Sequence, residues 1–577
     1  MTARGVLFSR GHVRSSTHLV VRIEGTRTSF SNMTSTEEED PIKNENSNSI
    51  SMDFILCWMI GAVMECLRIV LAVTRPLSDW VLNFFYRLVM GKSKVLPPID
   101  NKILLLSAVE LAEKIRKRQL SCEEVMRAYV ARSREVHKYI NAATDERYDA
   151  ALKEARAVDA MLASTTKTEE EIARDTPLLG VPFSCKEAIG VKGMLQTCGL
   201  VRAKGRLCPK DSDSAAMYRK AGAIPYAVTN VPELCMWWES ANHVYGMTKN
   251  PYDNARTVGG SSGGEGAIIA AAAAVIGIGN DIAGSIRLPA SFCGIYGHKP
   301  SRDLISNKGT FPDSEDEFDQ FVSTGPMCRY AQDLPLLTRV LSNNSSKVPW
   351  DAKVDFRKVR IYYMEEIPDF LQRSTPDIKN AVRKAVTHFE EQFGQKAVKV
   401  NLPEMKYAFN MWECKLLECG GPSFKSALAE DGKINLHWEL FKCLFGLSEH
   451  TLPAIYFGMV DRRTKDKFYH KCLEMYDDLK RKFEDIFQGD AIFLLPTQCE
   501  PPMHYLTTIP KYPNIGYTCI FSILGYPSTQ IPTGFSDGVP IGIQAISRQF
   551  QDHLTIAAGL ELDKVFGGWV SPCPITA

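Results

Sequence analysis

The pattern of apolar and polar residues divides this chain into four regions. Residues 1–50 are rich in Ser, Thr, Glu and Asn and poor in apolar side chains, so we expect a disordered polar leader. A nearly continuous apolar stretch occupies 54–73, and an aromatic segment with a Pro-Pro linker fills 74–103. From 104 to 570 helical and strand-like patterns alternate without a break, which predicts one large α/β domain.

The apolar stretch 54–73 reads FILCWMIGAVMECLRIVLAV. Its length matches the roughly 20 residues that a helix needs to cross a bilayer. Glu65 and Arg68 interrupt it, but they stand three positions apart and can pair on a helix. We expect a single-pass transmembrane or membrane-anchor helix, with an interfacial helix and a buried soluble helix as alternatives. A cleaved signal peptide would require Met52 to be the initiator.

The start of the domain has helical periodicity. Residues 104–117 predict an amphipathic helix, and Ser121 with Glu124 forms the pattern of a capping box that opens a second one. A third helix is predicted over 145–163, and the polar stretch 164–175 is predicted to be a loop.

Short apolar runs bounded by Gly and Pro follow. Runs that are apolar on both faces are typical of strands in a sheet covered by helices on each side. Ligands bind such sheets where the strands end. The predicted strands are 181–185, 224–229, 275–279, 491–495 and 542–546.

Composition narrows the possible functions. The formal net charge is +1, from 68 basic and 67 acidic residues without a basic block, which argues against a nucleic-acid partner. The 16 cysteines form no C-x-x-C pair and no metal-type spacing with His. We therefore expect reduced structural thiols, no metal and no cofactor.

Three segments carry candidate chemistry. Lys186 ends the first predicted strand, and a lysine drawn into the interior loses its charge more readily and can act as a base. A lysine after a strand more commonly faces solvent. The turn 259–266, GGSSGGEG, precedes an Ala-rich helix predicted at 267–274 and points backbone N–H groups at a ligand. Ser285 follows the predicted strand 275–279 in the segment DIAGS, where a hydroxyl and several N–H groups face one point.

Two other interpretations of the glycine-rich turn fit less well. A phosphate loop would need the Walker lysine, and a dinucleotide fingerprint would need a preceding strand. A nucleophile elbow would make Ser262 the nucleophile, yet the preceding segment 250–256, NPYDNAR, has loop chemistry instead of a strand pattern.

Together these motifs resemble the amidase signature family. The likeness rests on GVPFSCKE, GGSSGGEGA and DIAGSIRLPASFCGIYGHKP, and it runs from about 104 to 568. It implies the amidase-signature fold, a central mixed twisted sheet with helices on both faces. Segments 222–230 (GAIPYAVTN) and 233–240 (ELCMWWES) are similar in particular to the members that hydrolyse fatty-acid amides, and to their type-two form.

The resemblance implies roles for single residues. Ser285 would be the nucleophile, Ser261 the bridging serine with a cis peptide, and Lys186 the base. The oxyanion would be held by the N–H groups of Ile282, Ala283, Gly284 and Ser285. Ser262 would be a further substrate-binding residue. Ala283 stands where the family usually has glycine, which strains the backbone only if its φ is positive.

The expected function is a membrane-associated serine hydrolase that cleaves fatty-acid amides through an acyl-enzyme. Its partners would be the lipid amide, an intracellular membrane and, by resemblance, a second copy of the chain. An amidase of small, aryl or glutaminyl-type amides is the alternative, and a catalytically silent membrane scaffold is another. A second aromatic stretch at 438–460 could line an acyl channel or touch the membrane, although we favour ordinary core packing there.

Overall fold

The computed structural model describes residues 93–312, 317–420, 423–429, 433–460 and 464–577, together with scattered positions between 59 and 88. The predicted polar leader lies outside the described residues, and so does most of the predicted membrane helix at 54–73. The scattered positions that are described there are nearly all helical. Among the helices within the described ranges, none is both long and apolar enough to cross a bilayer.

An eleven-stranded mixed sheet forms the centre of the compact unit Ile55–Ala577. Its strand order is β1-β3-β2-β6-β8-β7-β12-β13-β11-β9-β10, and β4 pairs with β5 separately. The strands are β1 Ala143–Glu146, β2 Pro182–Lys186, β3 Ile224–Thr229, β4 Ala241–Asn242, β5 Gly246–Met247, β6 Ile276–Asp281, β7 Tyr296–Lys299, β8 Ser323–Cys328, β9 Arg360–Tyr363, β10 Val398–Lys399, β11 Ala491–Pro496, β12 Ser528–Ser536 and β13 Val539–Ile546.

Helices flank this sheet. They are α1 Ala108–Arg116, α2 Cys122–Ile140, α3 Tyr148–Ser164, α4 Glu169–Asp175, α5 Asp213–Lys220, α6 Gly263–Ala270, α7 Arg287–Phe292, α8 Leu334–Leu341, α9 Pro376–Phe393, α10 Ala408–Glu418, α11 Phe424–Leu428, α12 Leu436–Leu444, α13 Leu452–Val460, α14 Lys467–Ile486, α15 Gly516–Ile523 and α16 Asp552–Phe566.

The predicted strands are confirmed, with small shifts at their ends. Strand β2 lies between β3 and β6 and runs parallel to both, while β8 pairs with the other edge of β6 in the antiparallel sense. The sheet is therefore mixed, as the family resemblance implied. Because β3, β2 and β6 are adjacent and parallel, side chains at their carboxyl ends are brought together.

Three predictions about helices need correction. The predicted loop 164–175 contains α4, because Thr168 and Glu171 form a reciprocal capping box that starts a helix inside it. The first helix begins at Ala108 instead of 104, after the cap Ser107. The predicted helix 267–274 is shifted to Gly263–Ala270, and Ala272 beyond it has a left-handed φ of 58°.

The two ends of the described domain are joined. Ile99 in the linker forms a β-bridge with Ile575, and the buried side chain of Arg132 on α2 donates hydrogen bonds to the carbonyls of Pro97 and Pro98. The same guanidinium contacts the sulfur of Cys573 at 3.2 Å. The linker and the C-terminal segment therefore pack against the same helix.

Helix α6 packs so closely on the end of β3 that it tolerates no side chain at Gly264. A Cβ added there would lie 2.4 Å from the backbone nitrogen of Asn230. We predict that Gly264→Ala destabilises the protein by about 1–3 kcal/mol or more through overpacking, measured by thermal unfolding. The matched control is Gly516→Ala, also in the first turn of a buried helix, where the nearest atom lies at 3.3 Å. Equal melting temperatures for the two variants would contradict this account.

Candidate active site

Lys186 is the last residue of β2, and its side chain is shielded from solvent. Its Nζ donates a hydrogen bond to Ser261 Oγ at 2.7 Å and another to Asn280 Oδ1. The expectation that this lysine enters the interior is met, because its amine lies between the glycine-rich turn and the end of β6. Two residues 75 positions apart in sequence thus form a buried amine–hydroxyl pair.

Ser261 lies in the glycine-rich turn before α6 and is almost completely buried. The Gly260–Ser261 peptide bond is cis, as the resemblance implied. A Cβ on Gly260 would lie 2.5 Å from the carbonyl oxygen of Trp237, so glycine lets the two backbones pass each other. The glycines of this turn therefore allow close backbone packing.

An ion pair organises the segment that follows β6. Asp281 and Arg287 are both shielded from solvent and meet at 2.9 Å. Burial would raise the pKa of Asp281, but the Arg287 guanidinium outweighs it and lowers the pKa to about 2. The carboxylate also accepts hydrogen bonds from the N–H groups of Gly284, at 2.7 Å, and Ile286, at 3.1 Å. The Asp281 carboxylate therefore fixes the course of the loop that carries Ser285.

Ser285 stands between β6 and α7, at the predicted strand-to-helix junction, with only 7% of its surface exposed. Of the four N–H groups proposed for an oxyanion, that of Gly284 is directed at Asp281. Within the part of the chain that the structure describes, the N–H groups of Ile282, Ala283 and Ser285 have no hydrogen-bond acceptor. Three of the four donors remain available beside the Ser285 hydroxyl.

The two small residues before Ser285 differ in what they tolerate. The φ of Ala283 is not positive, so its methyl group adds no backbone strain. Gly284 has φ of 130°, and a Cβ there would lie 2.3 Å from Thr518 Oγ1. The departure from the family pattern at Ala283 is therefore compatible with the loop, whereas Gly284 is required.

Ser262 lies behind the candidate site. It is fully buried, its N–H donates to the carbonyl of Ser285 at 3.1 Å, and its hydroxyl faces the carbonyl of Asn280 at 3.4 Å. It does not belong to the residues that line the adjacent pocket. No strand precedes it in residues 250–262, which agrees with the argument against a nucleophile elbow.

Ser285 lies in the wall of a largely apolar pocket. Its walls are mostly aromatic and aliphatic, and it is lined by Cys235, Met236, Trp237, Trp238, Gly260, Ile282, Ala283, Ser285, Leu288, Phe409, Trp412, Glu413, Tyr456, Phe457, Val460, Tyr512 and Ile515. An apolar chain fits such a pocket better than a charged one.

Part of this pocket was not predicted from the sequence. The segment that contains Trp237 carried a family motif, but no motif included Phe409 and Trp412 on α10 or Tyr512. Trp412 donates its indole N–H to the carbonyl of Ile282 at 3.0 Å, which joins the pocket wall to the Ser285 loop. The signal for α10 in the sequence is only an amphipathic helix with aromatic residues, a pattern that also fits ordinary core packing.

The stretch 438–460 does not form one packed core element. Helix α12 exposes Trp438, Phe441 and Leu444, with 56%, 49% and 76% of their surfaces accessible. Helix α13 instead contributes Tyr456, Phe457 and Val460 to the pocket. The favoured interpretation as core packing is therefore wrong for α12.

A buried carboxyl group lies next to Lys186. Glu265 on α6 accepts hydrogen bonds from Ser184 and Thr229, each at 2.7 Å. Burial raises the pKa of Glu265 to about 8, although these two hydrogen bonds and the charge of Lys186 oppose the shift. The side chain therefore connects the strands β2 and β3 beneath the candidate site.

The mixed sheet, the buried Lys186–Ser261 pair and Ser285 are the features that the resemblance implied for an amidase. Residues 124–556 match the family described as Amidase, and the chain belongs to this family. Fatty-acid amide hydrolase 2-B of Danio rerio is 41% identical over 493 residues, which cover 83% of this chain and 93% of that protein. Human Fatty-acid amide hydrolase 2 is 39% identical over 83% of this chain and 92% of its own length.

The solved structure described as Fatty acid amide hydrolase has the same fold. It superimposes with a TM-score of 0.68 and 24% sequence identity, covering 85% of this chain and 89% of that one. This comparison supports the architecture, and the two relatives support the family at the level of sequence.

We predict that Glu265→Gln changes how stability depends on pH. The folded protein holds the Glu265 proton up to about pH 8, whereas the ordinary pKa is 4.5. Wild type therefore loses stability as the pH rises from about 4.5 to 8, because the unfolded chain releases this proton more readily. Glutamine does not titrate. The melting temperature of the variant minus that of wild type should therefore become more positive as the pH rises from 5 to 8. If the melting temperatures of wild type and variant change with pH in parallel, the Glu265 proton does not contribute to the pH dependence of stability.

Proposed function

We propose that this chain is a membrane-associated serine hydrolase that cleaves fatty-acid amides to a free fatty acid and ammonia or an amine. The observation that carries the proposal is the pocket with aromatic and aliphatic walls that Ser285 helps to line. The relatives named Fatty-acid amide hydrolase 2 support the same substrate class.

In this proposal Ser285 is the nucleophile. Its Oγ attacks the amide carbonyl carbon, and the hydroxyl proton passes through Ser261 to Lys186, which acts as the base. The 2.7 Å hydrogen bond between Lys186 Nζ and Ser261 Oγ supports the second half of this transfer. The hydroxyl of Ser262 faces the carbonyl of Asn280 on β6 instead of the lysine. Ser261 is therefore the serine whose hydroxyl is bonded to the amine.

The carbonyl oxygen becomes negatively charged as the tetrahedral intermediate forms. The N–H groups of Ile282, Ala283 and Ser285 would stabilise this charge, and losing one such donor typically costs about 3–4 kcal/mol. Gly284 would act indirectly, because its N–H binds Asp281 and thereby sets the direction of the neighbouring groups.

The proton held by Lys186 then returns through Ser261 to the leaving nitrogen, and the C–N bond breaks. This return matters because an amine anion is a poor leaving group. The acyl group stays on Ser285 as an ester. Water attacks the ester, again losing its proton to the relay, and the fatty acid is released with the Ser285 hydroxyl restored.

The pocket supports a long apolar acyl group. Leu288 and Ile282 lie near Ser285, and Phe409, Trp412 and Phe457 extend the apolar wall. Burying each methylene in such a wall contributes about 0.8 kcal/mol. Small or glutaminyl-type amides would gain little from it, which disfavours these two forms of the alternative amidase. The buried Lys186–Ser261 pair argues against a silent scaffold.

Association with a membrane is part of the proposal, and it is supported by the exposed face of α12. Trp438 and Phe441 stack with ring centroids 5.2 Å apart, and Phe445 continues the face at 5.1 Å from Phe441. Exposed aromatic clusters of this kind are typical of the membrane interface. The apolar segment 54–73 would add a single-pass anchor in an intracellular membrane. The formation of a homodimer stays a prediction from the resemblance.

The first test of this function uses oleamide and two serine variants. We expect detergent-solubilised wild type to release oleic acid, Ser262→Ala to retain most of this activity, and Ser285→Ala to lose it by several orders of magnitude. Ser262 is the matched control because it belongs to the same glycine-rich turn but faces away from the pocket. The measurement is the initial rate of fatty-acid release.

The outcomes separate substrate from mechanism. No oleic acid from wild type, despite fluorophosphonate labelling of Ser285, would keep the serine hydrolase and reject the lipid amide. Equal rates on acetamide and oleamide would favour the small-amide alternative. Absence of labelling would favour the silent scaffold.

The second test concerns the exposed face of α12. We predict that the triple variant Trp438→Ser, Phe441→Ser, Leu444→Ser hydrolyses oleamide in phospholipid vesicles about tenfold more slowly, because less apolar surface enters the bilayer. Its rate on detergent-dispersed oleamide should stay close to wild type. Phe370→Ser is the control, since Phe370 is 55% exposed on a different segment. Equal loss in vesicles and detergent would point to damage to the pocket instead.

A further inference from the structure

Two cysteines form a close pair beside the candidate active site. The sulfur atoms of Cys198 and Cys235 lie 3.4 Å apart, although 37 positions separate them in sequence. The N–H of Leu234 donates to the carbonyl of Cys198 at 2.9 Å, which holds the two backbones together. The two sulfurs are in contact and not covalently bonded.

Each cysteine is connected to the catalytic candidates by a different route. Cys235 lines the pocket that ends at Ser285. Cys198 donates its backbone N–H to the carboxylate of Glu187 at 2.7 Å, and Glu187 directly follows Lys186. A change at this pair therefore acts on the pocket wall through Cys235 and on the lysine end of β2 through Cys198.

The two thiols differ in reactivity. Burial raises the pKa of Cys235, but the hydrogen bond with Cys198 and the charge of Lys186 outweigh it and lower the pKa to about 7. Burial raises the pKa of Cys198 well above its usual range. The thiolate is the reactive form of cysteine. Cys235 is therefore the thiol that an oxidant attacks first, and the pocket gives a small oxidant access to it.

We propose that Cys198 and Cys235 are a redox modification site, at which a peroxide converts the two thiols into a disulfide and reversibly lowers the hydrolase activity. In the first step the Cys235 thiolate attacks hydrogen peroxide, the O–O bond breaks, and a sulfenic acid and hydroxide form. In the second step the sulfur of Cys198 attacks the sulfenic sulfur. An S–S bond forms, and the hydroxyl group leaves as water with the Cys198 proton.

The expected effect on activity follows from the geometry. A disulfide brings the sulfurs from 3.4 Å to about 2.05 Å, so Cys235 must withdraw from the pocket wall or Cys198 must shift. The first movement removes a thiol that interacts with Ser261 and Lys186. The second displaces the segment that Glu187 holds. Either movement disturbs the proposed proton relay, and this part of the inference rests on the proposed function.

The test reads the disulfide directly. Full-length protein in detergent is treated with hydrogen peroxide, alkylated without reductant and digested with trypsin, which releases peptides 193–202 and 221–249 with one cysteine each. We expect these two peptides to appear cross-linked, two hydrogen atoms lighter than their sum. In parallel the oleamide rate should fall about tenfold, consistent with losing one hydrogen-bonding contact in the relay, and dithiothreitol should restore it.

Two variants serve as controls. Cys198→Ser keeps the size of the side chain and should form no cross-link, while Cys235 is trapped as a dimedone adduct. Cys443→Ser, a half-buried thiol outside the pocket, should behave like wild type. If wild type forms no cross-link under conditions that give the dimedone adduct in Cys198→Ser, the proposal that Cys198 and Cys235 form a disulfide is wrong. A cross-link that leaves the rate unchanged would overturn its regulatory effect.

The readouts keep this inference separate from the proposed function. If wild type does not hydrolyse oleamide, the proposed substrate fails, but the cross-link still shows whether the pair oxidises. The rate of fluorophosphonate labelling then replaces hydrolysis, and it should fall on oxidation and recover with dithiothreitol. A labelling rate that does not respond to oxidation would count against the regulatory effect.

Discussion

The Asp281–Arg287 ion pair lies under the loop that carries Ser285, and the geometry of the site depends on it. Burying two opposite charges costs several kcal/mol per ion unless both are well paired and hydrogen-bonded. Here Arg287 also binds Gln544 and Ser522, while Asp281 accepts from backbone N–H groups. The pair is thus satisfied on all sides. Removing either partner would leave a buried charge and release the loop at once.

The buried amine of Lys186 is likewise stabilised by hydrogen bonds. Lys186 is shielded from solvent, and its amine is held by a serine hydroxyl and an asparagine oxygen. Beneath it Glu265 keeps its hydrogen bonds to hydroxyl groups. The buried polar groups around the lysine are specifically paired with one another. Such an environment strengthens each electrostatic interaction and also makes the position of every polar atom consequential.

The apolar pocket and the thiol pair share walls with this polar centre. Trp412 connects α10 to the Ser285 loop through the carbonyl of Ile282. Cys235 contributes to the same pocket and contacts Cys198, which Glu187 anchors. Substrate binding, the proposed chemistry and the proposed redox response therefore involve one continuous set of contacts. For this reason we expect a change in the cysteine pair to reach the relay without a large movement of the fold.

Local patterns in the sequence determined the strands of the sheet, the position of Ser285 between a strand and a helix, and the family. These features depend on short-range periodicity and on motifs of a few residues. The shift of α6 and the helix inside 164–175 were missed, because caps and left-handed residues decide helix ends. The family resemblance implied the roles of Lys186 and Ser261, but the burial and distance of this pair, the aromatic pocket and the cysteine pair were decided only by tertiary structure. Their residues are far apart in sequence, and no local pattern records which strands and loops become neighbours.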